Sequence, residues 1–361
     1  MTAQPLLSAY APGRVELLGN HTDYNDGVVL GAAIDRGLTM RGSKSTGGMI
    51  SVSSKTMGCV EVGGSEIRPL VDDRWANYVL GVVSELRSLS IPIAGFSAEI
   101  TGELPAGSGL SSSAALELAT ALFLLKLHQR ELPPLAIAKA CQRAEHRFAG
   151  VQSGLLDQVT SLFGRADHAV FFDCRTEEVR TIPFPKGLTL IIAESGKKRE
   201  LASGDYNRRR AETRAAADAL QVPALRDVTS LQLKTRHDLP ELLRGRAAHI
   251  VEENERVWRA VDFLLAGDGP GFGALLNASH ESSRRNFENS TPELDLLVSI
   301  AQNLPGVLGA RLTGGGFGGA TITLCEQPAA EEVATQLAKR YRAESGITSR
   351  VIISAIAAGA R

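Results

Sequence analysis

Cysteine is scarce in this chain of 361 residues. The four present, Cys59, Cys141, Cys174 and Cys325, form no C-x-x-C pair. Such scattered thiols give no cysteine metal site or disulfide framework and fit a reducing, cytoplasmic setting. Long apolar runs are missing too, and none approaches the roughly 18 residues that suggest a membrane span. Neither sign of charge dominates: 39 Lys and Arg face 40 Asp and Glu, for a formal net charge of -1. That balance excludes a general binder of nucleic acid, although a local basic patch stays open. Met1 to Ala11 lacks a basic start and an apolar core, so no secretory signal is expected. Aromatic residues reach only 5%, and no internal repeat or low-complexity linker is present.

Hydrophobic residues, at 43%, supply a sizeable core, and 22% charged residues argue against wholesale disorder. At roughly 150 residues per domain, the length suggests two domains. Glycine is plentiful, with 36 residues, many clustered in Gly13 to Gly31, Gly102 to Gly109 and Gly314 to Gly319. Clusters of this kind mark backbone that comes close to a ligand. Between them, strands are expected over 50–53, 96–101, 169–173, 188–193, 320–325 and 350–356, where Ile, Val and Phe concentrate. Helices are expected over 113–128, 133–148, 154–163, 206–220 and 247–265. The first of these is apolar nearly all round, which predicts burial. Arg175 to Lys186, with its charges and two prolines, is the expected domain boundary.

The strongest local signal is Leu104-Pro-Ala-Gly-Ser-Gly-Leu-Ser-Ser-Ser-Ala-Ala115. Its glycines let several N–H groups converge, and the helix that follows adds its positive end, a combination suited to phosphate. A single serine would suffice for an ordinary helix cap; three after Gly-x-Gly favour phosphate or Mg²⁺ binding. No Lys follows, so this is no Walker A loop, and Gly109 to Ser113 lacks the last glycine of a nucleophile elbow. A literal G-x-G-x-x-G at Gly314, Gly316 and Gly319 precedes a strand rather than a helix, which rules out a Rossmann turn. A tight hairpin and a backbone lid over substrate remain equally good readings there. Asn20, His21, Thr22 and Asp23 can jointly hydrogen-bond a polyhydroxylated molecule, against the plainer reading of a solvated loop. By position alone, Asp157 and Glu145 read as ordinary surface carboxylates.

The order of these patches resembles the GHMP kinase superfamily, named for galactokinase, homoserine kinase, mevalonate kinase and phosphomevalonate kinase, and is closest to its galactokinase branch. The branch's sugar signature, Gly-Arg-Val-Asn-Leu-Ile-Gly-Glu-His-Thr-Asp-Tyr, stands here as Gly13-Arg-Val-Glu-Leu-Leu-Gly-Asn-His-Thr-Asp-Tyr24. Gly109 to Ala114 matches its phosphate loop, and Ser153-Gly-Leu-Leu-Asp-Gln158 its Cys-Gly-x-Met-Asp-Gln. Arg199-Glu-Leu201, Tyr206-Asn-Arg-Arg-Arg210 and Leu312 to Gly319 complete the series.

The resemblance implies an α+β fold of two domains. Residues 1–180 would be like ribosomal protein S5 domain 2, and 181–361 ferredoxin-like, with ATP and sugar in the cleft between. Carried over by position, Gly107, Ser108, Gly109, Leu110, Ser111, Ser112 and Ser113 would hold the triphosphate. Ser113 and Glu145 would coordinate Mg²⁺. Asp157 would be the catalytic carboxylate, with Arg14 as its cationic partner. Asn20, His21, Thr22, Asp23 and Tyr206 would meet the sugar, and Trp75 would pack near the nucleotide.

The implied partners are a small sugar and ATP, with no nucleic acid or membrane. A monomer is compatible with this reading, and oligomeric state is left open. The implied activity is a sugar-1-kinase for galactose. The family's Glu and Asn are exchanged here, as Asn20 and Glu16, which keeps a C6-modified sugar such as galacturonate open as the alternative. A non-catalytic sugar and ATP sensor is the rival of another class. Intact Ser111 to Ser113, Glu145, Asp157 and Arg14 favour the enzyme.

Overall fold

A computed structural model of the chain describes residues 6–104, 109–197 and 204–361. Gly107, Ser108 and the Arg199 to Leu201 motif lie outside the described residues. The first half runs β1 (Leu7–Leu18), β2 (Val28–Lys44), β3 (Met49–Ser54), β4 (Gly58–Gly63), α1 (Ala76–Ser88), β5 (Phe96–Gly102), α2 (Ser112–Leu127), α3 (Pro134–Ala144), α4 (Leu156–Phe163), β6 (His168–Asp173) and β7 (Val179–Pro183). The second half runs β8 (Leu188–Glu194), α5 (Asp205–Leu220), α6 (Ser230–Thr235), α7 (Glu241–Ala266), α8 (Gly269–Ser282), α9 (Pro292–Gln302), β9 (Val307–Thr313), β10 (Ala320–Glu326), α10 (Ala330–Ser345) and β11 (Val351–Ser354). No described helix is long and apolar enough to cross a membrane.

Strands of the first half form one sheet in the order β4-β3-β5-β2-β6-β7, with β1 antiparallel to β2. Helix α2 lies on β1 and β2, and α1, α3 and α4 pack around it. Its all-round apolar surface is thus explained by neighbours on every side. The second sheet, β11-β8-β10-β9, is antiparallel throughout. Numbered within its own half, that order is 4-1-3-2, the ferredoxin-like arrangement.

Alternation along β8 shows how the halves share a core. Leu190 and Ile192 belong to the large cluster that also holds Val15, Leu17, Phe96 and Phe123 of the first half. Ile191 and Ala193, on the opposite face, join Leu297, Leu337 and Tyr341 under α9 and α10. Strand periodicity of two sends successive side chains of β8 into different cores.

At the N-terminus the plainer of two open readings is ruled out. The polar, glycine-punctuated run from Ala11 is no solvated loop: residues through Leu18 form β1, and Arg14, Glu16, Asn20, His21 and Thr22 are all buried. Val15 and Leu17 face the core while Arg14 and Glu16 share the other face, so the polar residues point into the molecule's cleft rather than to solvent. Irregular pairing between Pro12 and Arg14, and again between Glu16 and Leu18, flanks these two side chains. Bulges of this kind re-aim side chains at functional sites. One correction concerns the helix expected over 133–148. It ends at Ala144 and widens into a π-type turn over Glu145–Ala149, a distortion often found at functional sites.

Candidate active site

The cleft is built where β1, the N-terminus of α2, the start of α4 and the hairpin between β9 and β10 converge. Helix α4 reaches it because Gly31 of β2 lets Thr160 approach; a Cβ there would lie 2.6 Å from the Thr160 hydroxyl oxygen. On the same face of α4, Ser161 donates to the Pro12 carbonyl at 2.6 Å, and Asp157, one turn earlier, meets Arg14. Arg14 Nε donates to Asp157 Oδ1 at 2.7 Å, and its Nη1 to the Gly109 carbonyl at 2.6 Å. Ser111 donates to the other carboxylate oxygen of Asp157. Only 3% of Arg14 is exposed, against 24% of the Asp157 side chain, so the carboxylate is the accessible member of the pair.

Beside this pair, the first turn of α2 presents Ser111 to Ser113 to the cleft, with the positive end of a 16-residue helix behind them. Ser113 hydrogen-bonds Glu145, which also accepts from Ser153 Oγ at 2.5 Å. Burial pushes the Glu145 carboxyl up, and these hydrogen bonds oppose the shift.

Across the cleft sit His21, Asp23 and Tyr206. His21 Nε2 lies 2.9 Å from the Gly315 carbonyl and Nδ1 lies 2.7 Å from the Tyr24 hydroxyl. A carbonyl only accepts, so in the neutral ring Nε2 carries the proton and Nδ1 accepts from Tyr24. Burial raises Tyr24 well above its usual range, which keeps that hydroxyl protonated. Asp23 is pushed up to about 7, chiefly by burial and then by Glu16 and Asp157.

Gly154 is what lets Asp23 sit there: a Cβ on Gly154 would run into the Asp23 carboxylate. Gly154→Ala is therefore expected to displace Asp23 and raise KM for a bound polyol by about tenfold or more, with KM for nucleotide little changed. Steady-state kinetics on both substrates checks this, and an unchanged polyol KM would contradict it.

Three segments match known family descriptions. Residues 2–44 match the galactokinase galactose-binding signature, 77–165 the GHMP kinases N terminal domain, and 260–343 the GHMP kinases C terminal region. The galactokinase of Roseiflexus sp. (strain RS-1) is 40% identical over 97% of this chain and 91% of its own length. The chain belongs to the galactokinase family. The Homo sapiens galactokinase is also 40% identical, over 99% of this chain and 93% of its own. Lactococcus lactis galactokinase, solved in complex with galactose, superimposes with a TM-score of 0.95 at 34% identity, covering 99% of this chain and 95% of that one. Mevalonate kinase from Methanococcus jannaschii, at 21% identity and a TM-score of 0.68, shares the fold.

Most of the galactokinase-family motif residues come together in the cleft. Arg14, His21, Asp23, Gly109, Ser111, Ser112, Ser113, Glu145, Asp157 and Tyr206 all line it. Asn20 and Thr22, expected at the sugar, do not: both are fully buried behind it. Thr22 holds the turn with its one hydroxyl proton shared between the Gly19 and Val28 carbonyls, 2.8 and 2.7 Å from its oxygen. Leu110 turns its side chain into the core, and its carbonyl accepts from Arg14 N at 3.1 Å. Trp75 packs against the core outside the lining, with a buried Nε1 that finds no partner among the described residues.

The glycine run joins β9 to β10 as a hairpin loop that borders the cleft. Thr313 pairs with Ala320 across it, and Gly314 and Gly315 line the cleft.

Sequence reasoning expected most of α7 as a helix over 247–265 but not its contacts with the site. Glu253 accepts from Gly19 N and Asn20 N at 3.0 and 3.2 Å, Asn254 Oδ1 accepts from Val28 N at 2.9 Å, and His249 Nε2 meets the Asn20 carbonyl at 3.1 Å. All three are buried, and three polar residues on the inward face of a long helix are the one signal that pointed to them.

Proposed function

We propose that this chain transfers the γ-phosphoryl group of ATP to the anomeric hydroxyl of galactose, giving galactose 1-phosphate and ADP. One observation carries the proposal: the accessible Asp157 carboxylate, pinned by Arg14 and Ser111, stands between the serine-lined N-terminus of α2 and the polar wall of His21, Asp23 and Tyr206. The phosphate donor belongs at the first place and the polyhydroxylated acceptor at the second.

In the transfer, the sugar O1–H lies against Asp157, which orients it and takes its proton. A bond forms from that oxygen to the γ-phosphorus as the bond to the bridging oxygen breaks, and ADP leaves with the electron pair. Arg14 steadies the charge that spreads over the transferring oxygens, and the amides at the start of α2 hold the remaining phosphates.

Ser113 and Glu145 suit Mg²⁺: both are hard oxygen donors, they touch each other, and both face the phosphate end of the cleft. Two protein ligands are enough, because Mg²⁺ takes the rest of its shell from nucleotide phosphates and water. The bound ion neutralises phosphate charge. In this reading residues 1–180 supply the sugar signature, the phosphate loop and the carboxylate, and 181–361 supply Tyr206 and the hairpin, in a cytoplasmic enzyme.

Turnover across galactose, galacturonate, glucose, mevalonate and homoserine, read as ADP release, tests the proposal. Galactose is expected to lead, and a preferred acceptor that is not a sugar would overturn the assignment.

A pH dependence follows from Asp23. Sugar hydroxyls donate to a carboxylate, so binding favours the ionised form and lowers the pKa from its unliganded value of about 7. Binding below that pH must release a proton, so affinity falls as the pH drops through it and levels off above it. Galactose is expected to bind about tenfold more weakly at pH 6 than at pH 8. Calorimetry in buffers of different ionisation enthalpy measures both the affinity and the released proton. An affinity that does not change over this range would contradict the role given to Asp23.

A further inference from the structure

Asn20 and Glu16 face each other, and of the two only Glu16 lines the cleft. The Asn20 amide donates to Glu16 Oε1 at 2.9 Å and to the Gly314 carbonyl at 2.8 Å, and its carbonyl accepts from Asn289 Nδ2 at 2.8 Å. Both of its N–H donors are therefore spent inside the protein. Its backbone is held as firmly, with N–H to Glu253 and C=O to His249, so the side chain has no freedom to turn toward the cleft.

Glu16 lies on the cleft wall. Its Oε1 accepts from Asn20 and from Arg311 Nη2, the latter at 3.0 Å, which occupies about two of a carboxylate's four or so acceptor positions. Arg311 is fully buried and also donates to the Leu17 carbonyl at 2.8 Å, so it is committed behind the wall. Among the described residues lining the cleft, the cation is Arg14, which is engaged by Asp157 and Gly109.

We propose that Glu16 is the sugar-facing carboxylate of this wall and excludes acidic sugars, and that Asn20 is its positioning residue and makes no sugar contact. The inference rests on the reading of the cleft as a sugar site. A hexuronate entering it would bring its own carboxylate toward Glu16 and Asp23, with no uncommitted cation among the described lining residues to receive it. A neutral hexose brings hydroxyl donors instead, which both carboxylates accept. Asn20 contributes by aiming Glu16 and by tying it to Gly314 of the hairpin.

The test is equilibrium binding of galactose and galacturonate, without nucleotide, to wild type, Glu16→Gln and Asn20→Ala. Wild type is expected to favour galactose on the order of 10²-fold. Glu16→Gln should narrow that ratio by about tenfold or more, because the amide no longer repels the uronate. Asn20→Ala keeps the carboxylate and its Arg311 partner; galactose affinity should fall about three- to tenfold with the ratio preserved.

A thermal midpoint for each variant separates lost folding from lost binding. If Glu16→Gln does not fold, the double variant Glu16→Gln/Arg311→Gln, which leaves no unpaired charge, serves in its place. The proposal is overturned if wild type binds both sugars equally, if removing the Glu16 charge leaves the ratio unchanged, or if Asn20→Ala is the variant that collapses it. Binding needs no turnover, so a chain that binds galactose selectively without phosphorylating it would overturn the kinase assignment and leave this inference standing.

Discussion

Alanine in place of Asp157 is expected to slow phosphoryl transfer by about 10²–10⁴-fold, the range typical of a positioned proton acceptor, in a protein that still folds. The side chain is partly exposed, so truncation opens no core cavity, and Arg14 keeps its bond to the Gly109 carbonyl. Asp157→Asn separates two contributions. It preserves the shape and a hydrogen bond but cannot take a proton, so recovery toward wild-type turnover would assign Asp157 to orientation alone. Single-turnover kinetics with saturating ATP and galactose reads the transfer step. Wild-type turnover in folded Asp157→Ala would remove the residue from the reaction.

Truncating Glu253 to alanine should have the largest effect on stability, about 3–5 kcal/mol, as expected for breaking a buried, hydrogen-bonded charge pair. Burial alone would push this carboxyl up, but Arg256 and Arg311 outweigh it and hold the group well below its usual range. Its Oε1 also accepts from Ser279 at 2.7 Å, and its Oε2 from Arg256 Nε at 2.6 Å. Removing it leaves the Arg256 guanidinium buried without its closest partner and frees the Gly19 and Asn20 amides. Galactose binding should weaken along with stability, because those amides fix the turn that carries His21 and Asp23. Denaturant unfolding monitored with and without galactose checks both effects, and an unchanged midpoint would contradict the clamp.

Phosphate chemistry was legible in the sequence because it needs local features: glycines, serines and a helix start within a few residues. The carboxylates were marked by the family resemblance and not by their positions. Asp157 and Glu145 look like solvated helix charges, and what sets them apart is a partner 143 residues away in one case and burial under a widened turn in the other. Strand β1 was hidden for a related reason. Alternation of polar and apolar residues usually separates solvent from core, yet here the polar face of β1 looks into the cleft, and its glycines and charges mimic a loop. The exchange of Glu16 and Asn20 was visible as residue types, but the direction of their hydrogen bond, and which one lines the cleft, comes only from packing against Arg311 and Gly314. In α7 the inward-facing polar residues signal a buried role, but nothing local says that Glu253 serves a turn more than 230 residues earlier.

The position of the transferred phosphate tests the account most directly. Galactose, Mg²⁺ and ATP incubated with the purified chain should give a product whose phosphorus is coupled to the anomeric proton by NMR, with ADP formed in equal amount and the same product formed far more slowly by Asp157→Ala. Phosphate on another hydroxyl, or ATP consumed as fast without galactose as with it, would contradict the placement of O1 against Asp157.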